Sequence, residues 1–127
     1  MSDRDETPWS SRTQLLAELE DALAAFNRAR DWEQFHTPKD LAMQLSIEAS
    51  EVLELFLWKG SEDLPSSERL SDEIGDVLIT LVNFARRVGI DPMAAAEQKL
   101  KQNAERYPVA LARGRADKYN ELDPSKP

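Results

Sequence analysis

Two acidic pairs at helical spacing, Glu48-x-x-Glu51 and Glu73-x-x-Asp76, are the residues of this chain best placed to do chemistry. Residues three apart on a helix lie on one side of it, about one turn apart. If both segments are helices and pack together, four carboxylates face one another. A carboxylate inside an apolar stripe is unfavourable unless something compensates it. Four together repel, or take up protons. A hard divalent cation resolves the conflict because it takes oxygen ligands, and magnesium or manganese suits such a set. Magnesium also keeps waters and bridges to phosphate oxygens, so the cluster would join an acidic protein to a polyanionic substrate. The competing reading is a solvated helix face, the usual meaning of a lone E-x-x-E. Two pairs on adjacent helices, with one member inside the apolar stripe, strengthen the metal reading beside the solvated one, and both stay open at this point.

Other chemistry is thinner. Glu33-x-x-His36 has the spacing of a di-iron carboxylate motif, but His36 is the only histidine, so the second motif that such sites need is missing. His36 is then a pocket residue or an ordinary packed histidine. No serine sits in a recognisable nucleophile setting. Trp32, Phe35 and His36 precede one helix, and Phe56 and Trp58 lie near its end. Such rings either stack on a nucleobase, which always offers a flat π-face, or plug the ends of a bundle. Lys99, Asn103 and Arg106 share one helical face and either grip phosphates or form a solvated helix end.

The elements that must position these groups are helices. Leu15, Leu16, Leu19, Leu23 and Phe26 recur at three and four, which predicts a helix from about Ser11 to Arg30. Residues 31–36 form a short aromatic connector with room for a helical turn. Thr37 caps the second helix, with Pro38 at its first position, and this helix should reach Trp58. Its stripe is Leu41, Leu45, Val52 and Leu55, and Glu48 falls within it, with Glu51 at the edge. Glu54 lies further round, toward solvent. A polar loop over 61–67 leads into a third helix from about Ser67 to Val88, with a stripe of Leu70, Ile74, Val77, Leu81, Phe84 and Val88. Glu73 flanks that stripe and Asp76 is one step further out. Gly89 stops this helix, and Asp91-Pro92 begins a fourth that ends before Pro108. The expected architecture is an all-α, four-helix-type bundle with a flexible segment over 1–10, a helical domain over 11–107 and an irregular tail over 108–127.

Composition agrees with a folded domain and narrows its partners. The 127 residues are 41% apolar and 31% charged. The formal net charge of −8 argues against a nucleic-acid polymer, which wants a basic face, but admits a phosphorylated small molecule through a cation. With no cysteine, disulfides, thiol nucleophiles and cysteine-ligated zinc are excluded. The polar start lacks the apolar run of a signal peptide, and no stretch approaches a membrane span, so the expected compartment is the cytoplasm. The chain is long enough for a core, and a compact bundle of this length needs a partner for any apolar face it leaves uncovered.

Three stretches resemble a known family. Asp31-Trp32-Glu33-Gln34-Phe35-His36, then Glu48 through Lys59, then Asp72-Glu73-Ile74-Gly75-Asp76-Val77 look like the MazG-type all-α nucleoside triphosphate pyrophosphatases. The dCTP pyrophosphatase branch is the nearer match, through the D-W-E-Q-F-H stretch and a tail from Arg106-Tyr107-Pro108 to Lys118-Tyr119. The resemblance covers about residues 15–122. It implies that Glu48, Glu51, Glu73 and Asp76 ligate magnesium, with manganese a substitute. Trp32 and Trp58 would flank the base with His36 nearby, and Lys99, Asn103 and Arg106 would contact phosphate. It also implies a homotetramer with sites assembled between subunits. The reaction implied is hydrolysis of a (deoxy)nucleoside triphosphate, dCTP or a modified dCTP, to monophosphate and pyrophosphate, which would cleanse the nucleotide pool. Glu48 or Glu51 would orient the attacking water or take its proton. Two positions depart from the branch: Leu23 stands where it has a histidine, and Thr80 where it has a tyrosine. Both touch the base or sugar pocket and leave the metal ligands alone. The alternative is a non-catalytic helical module that binds a nucleotide or a partner helix.

Overall fold

The computed structural model describes residues 9–123, and every described element is helical. Helix α1 spans Trp9–Ala29, a 3-10 turn spans Glu33–Phe35, and α2 spans Pro38–Glu54. Helices α3 and α4 span Ser67–Val88 and Pro92–Arg106, and a single-turn α5 spans Val109–Ala112 before a 3-10 turn at Tyr119–Glu121. The mobile lead-in expected over residues 1–10 lies mostly outside the described residues, and α1 already includes Trp9 and Ser10. The tail is less irregular than its prolines suggest, because Pro108 starts α5. The described chain falls into two compact units, one ending at Ile90 and one starting at Asp91.

The helix ends follow local chemistry. The Thr37 hydroxyl accepts from the Asp40 amide at 3.1 Å, and Pro38 needs no partner for an amide hydrogen it lacks. Ser66 caps α3 by accepting from the Arg69 amide. Gly89, at φ 72°, closes α3: its amide bonds to Arg86 O at 3.3 Å and the Ile90 amide to Ala85 O at 3.0 Å. That pairing is a Schellman motif, and its left-handed residue favours glycine. Asp91 Oδ1 accepts from the Met93 and Ala94 amides and starts α4.

One expected end is corrected. The second helix stops at Glu54, not at Trp58. After Val52 the amides of Leu55, Phe56 and Leu57 bond three residues back, which tightens the last turn, and Trp58 then enters the left-handed region at φ 64°. The apolar run up to Trp58 continues the composition of a helix without continuing its hydrogen bonding.

In the first unit α2 and α3 form the principal helix pair, and α1 packs on α3. Leu23, Leu41, Leu55, Val82 and Ala85 are buried. Leu41, Leu45, Glu48, Val52 and Leu55 advance by four and three, so Glu48 occupies a core position of α2, as its place in the stripe predicts. The stripe expected on α3 is shifted. Thr80, Val82 and Ala85 are its buried residues, while Ile74 and Leu81 are exposed. Apolar residues occupy more than one face of α3, so periodicity alone does not say which face α1 and α2 cover. Among the described residues no helix is long and apolar enough to cross a membrane.

Candidate metal centre and the adjoining cavity

Helix α2 presents Glu48 and Glu51, and α3 presents Glu73 and Asp76. One carboxylate oxygen from each lies within 4.8 Å of every other. The first three residues are half-buried and Asp76 is exposed. The Oε2 atoms of Glu48 and Glu73 are buried without a hydrogen-bond partner. Buried carboxylate oxygens ordinarily have partners. Among the described residues no arginine or lysine pairs with any of the four; ion pairs form elsewhere, at Arg86–Glu33, Lys101–Glu97 and Arg115–Asp117 among others.

The electrostatics follow from this geometry. Burial raises the pKa of Glu48, and hydrogen bonding and repulsion by Glu51, then the charges of Asp76 and Glu73, raise it further. Glu73 is raised for the same reasons, first by desolvation and then by Glu51, Asp76 and Asp72. The cluster therefore favours bound protons or a bound cation over four bare charges. Oxygen donors, orphaned oxygens and the lack of a paired arginine or lysine among the described residues together fit a hard divalent ion such as Mg2+ or Mn2+.

A cavity of about 170 Å³ lies in the same unit as the cluster. Leu23, Phe26, Trp32 and Ile79 supply apolar walls, and Asn27, His36, Gln44, Thr80 and Asn83 supply polar ones. Gln44 stands four residues before Glu48 and Thr80 four after Asp76. Along α2 and along α3 alike, a residue of the cavity wall thus stands about 6 Å of helical rise from a residue of the cluster, at 1.5 Å per residue. Trp32 is held by its backbone, since its amide donates to Asn27 O at 3.0 Å, and its ring meets Phe26 edge-on at 5.6 Å. Two arginines of α3 secure the 3-10 turn. Arg86 donates to Glu33 Oε1 at 3.0 Å, and Arg87 Nε donates to the His36 carbonyl at 3.1 Å. A more polar cavity of about 360 Å³ is lined by Glu33, His36, Asn83, Arg86 and Arg87.

The four acids expected from spacing are therefore brought together, and Trp32 and His36 share one cavity. Trp58 does not line that cavity; it is 95% exposed at the turn after α2. Lys99, Asn103 and Arg106 are on α4 of the second unit, where Lys99 Nζ donates to Gln102 and the Arg106 guanidinium lies 4.8 Å from the Tyr119 ring. Sequence reasoning missed Asn27, Gln44 and Asn83. For Asn27 a signal was available, because it follows Leu23 by four and so extends the apolar stripe of α1 with an amide.

Comparison with known proteins adds three findings. A model of the MazG-like family matches residues 43–122. The dCTP pyrophosphatase 1 of Mus musculus is 45% identical over 106 residues, covering 78% of this chain and 62% of that protein. Its Homo sapiens counterpart is 43% identical over the same length, with the same coverage. The chain thus spans about three fifths of the length of these curated relatives. A crystal structure of a pyrophosphatase from Archaeoglobus fulgidus aligns with a TM-score of 0.69 at 38% identity, covering 72% of this chain and 91% of that one.

Proposed function

The chain belongs to the MazG-like family, and from that premise we propose that it hydrolyses a (deoxy)nucleoside triphosphate, dCTP or a modified dCTP, to the monophosphate and pyrophosphate. The observation that carries this reading is the convergence of four carboxylates, two with buried unpartnered oxygens, about one helical turn from an aromatic cavity. A base in the cavity would leave its phosphates within reach of the acids. The names of the relatives, dCTP pyrophosphatase 1 and pyrophosphatase, support the same chemistry.

Glu48, Glu51, Glu73 and Asp76 would hold Mg2+, or Mn2+ in its place. When bound, the ion would neutralise phosphate charge and acidify a water. The chain's own residues do the rest. Glu48 or Glu51 orients the attacking water at the α-phosphorus or accepts its proton. Trp32 stacks on the base, and His36 closes the same wall of the cavity. Lys99, Asn103 and Arg106 share one face of α4 at spacings of four and three, and their donors suit phosphate oxygens. We assign a homotetramer, supported by the apolar residues left exposed on α2 and α3. Trp58, fully outside the cavity of its own chain, then acts on the base bound by a neighbour. The setting is the cytoplasmic nucleotide pool.

The test is a magnesium-dependent turnover panel over dNTPs, NTPs and 5-methyl-dCTP that resolves all phosphate products. Monophosphate with pyrophosphate is expected. Diphosphate with phosphate would mean attack at the γ-phosphorus and would overturn the mechanism. Binding without turnover would leave a non-catalytic nucleotide module.

A further inference from the structure

We propose that the Asn27–Asn83 amide pair reads the edge of a pyrimidine base in the Trp32 cavity, accepting cytosine and its oxo counterparts alike. The inference rests on the nucleotide reading above. Asn27 is 2% exposed, and its Nδ2 donates to Asn83 Oδ1 at 3.1 Å across α1 and α3. Among the described residues neither side chain makes another hydrogen bond. A primary amide can donate two and accept two, and since neither residue has a buried polar atom without a partner, the capacity left over opens on the cavity. Both residues line the cavity. Their neighbours there, Leu23, Phe26 and Ile79, would pack equally well on apolar side chains. Packing alone therefore gives no reason for two amides at this place.

The pair has a definite residual capacity. One amide–amide bond uses one donor and one acceptor. What remains toward the cavity is an oxygen on one residue and N–H on the other. Turning both amides over exchanges these roles and keeps their bond. Cytosine offers a donor at N4 beside an acceptor at N3, and uracil or thymine offers an acceptor at O4 beside a donor at N3. The pair meets the first edge in one setting and the second in the other.

The size of the cavity fits one ring. A dry cavity of about 150 Å³ takes one benzene ring. The 170 Å³ here suits a single six-membered ring, with Trp32 among its walls. Adenine at N6 and N1 and guanine at O6 and N1 have compatible edges, but the second ring keeps either edge from seating on the pair.

Steady-state kinetics on the full chain with Mg2+ would test this, using dCTP, dUTP, dTTP, dATP and dGTP against wild type and Asn83→Ala. Wild type should favour the pyrimidines over the purines by about tenfold or more, with dCTP and dUTP within about tenfold of each other. Asn83→Ala should lower kcat/KM for the pyrimidines by about tenfold, mainly through KM, and change dATP by less than about threefold. A folding defect would lower every substrate together, so the ratio isolates base reading. Turnover with equal losses on all bases, or none, would overturn the amide assignment and leave the proposed activity standing. If wild type turns over nothing, the side-chain NH2 signals of Asn27 and Asn83 decide, observed by NMR during titration with dCMP and dAMP. Shifts with dCMP and not dAMP would support the pair without the activity; silence with both would overturn it.

Discussion

Glu48 shows how one residue ties the fold to the chemistry. It holds a core position of α2, carries a buried oxygen with no partner, and has its pKa raised by burial and by Glu51. A carboxyl with a raised folded-state pKa binds its proton more tightly in the folded chain than in the unfolded one. The stability this contributes is full below the ordinary value of 4.5 and is lost as pH rises through the raised value. Glu73 acts in the same direction. In a chelator, Glu48→Gln should therefore gain melting temperature relative to wild type as pH rises from 4.5 toward 8. With Mg2+ the order reverses. A cation bound only by the folded state stabilises it by about 2.7 kcal/mol at a hundred times its Kd, and wild type should show that rise while Glu48→Gln loses it together with turnover. Thermal melts of both proteins across that pH range, with and without Mg2+, read out each half. A parallel pH dependence for the two proteins in chelator would deny that Glu48 is charged at a buried site.

At the scale of the elements, helix ends divide what sequence rules capture from what they miss. Thr37-Pro38, Gly89 and Asp91-Pro92 were legible because capping is a short-range matter of one side chain, one ring or one left-handed residue. Gly89→Ala isolates that effect. An added Cβ meets nothing within 4 Å, so the penalty is conformational alone, about 1–2 kcal/mol for leaving glycine at φ 72°. The melting temperature should fall by about 4 °C or somewhat more, with kcat/KM at 25 °C unchanged, because the cap lies at the opposite end of α3 from Glu73. The end of α2 was not legible. Residues 53–58 read as continuing helix, and only their three-residue hydrogen bonds bring it to a close. Trp58 is left at φ 64°, a conformation unfavourable for a bulky residue. Trp58→Gly should preserve or raise the melting temperature while raising KM for the triphosphate, the opposite of what loss of a packed tryptophan does. The acidic pairs were legible from spacing because each needs only its own helix. Asn83 was not, and Asn27 only as an amide within the stripe of α1, since their bond joins α1 to α3 across the fold.

At the scale of the whole molecule, the surface is at odds with a lone chain. Ile74 is 61% exposed and Leu78 46%, and with Leu81 they continue a stripe at spacings of four and three. Ile47 and Met43 are exposed on α2. Contiguous apolar surface of this kind marks an interface more often than free surface. The chain should therefore elute with a mass at least twice its 14.4 kDa, and light scattering on the eluting peak gives that number directly. Ile74→Glu with Leu78→Glu places two charges in the stripe and should shift the mass to that of one chain, with circular dichroism confirming retained helix. The consequences for function separate by residue. All four acids belong to one chain and converge within it, so the dissociated variant should keep a magnesium-dependent rise in melting temperature. Trp58 stands outside its own chain's cavity, so if a neighbour supplies the second face of the base, the variant should lose nucleotide affinity by the same factor as Trp58→Ala does in the intact assembly. Adding Trp58→Ala to the dissociated variant should then weaken binding no further, because the contact is already gone. A further loss would mean that each tryptophan serves its own chain, and the assembly would have to be explained by burial of the stripe alone.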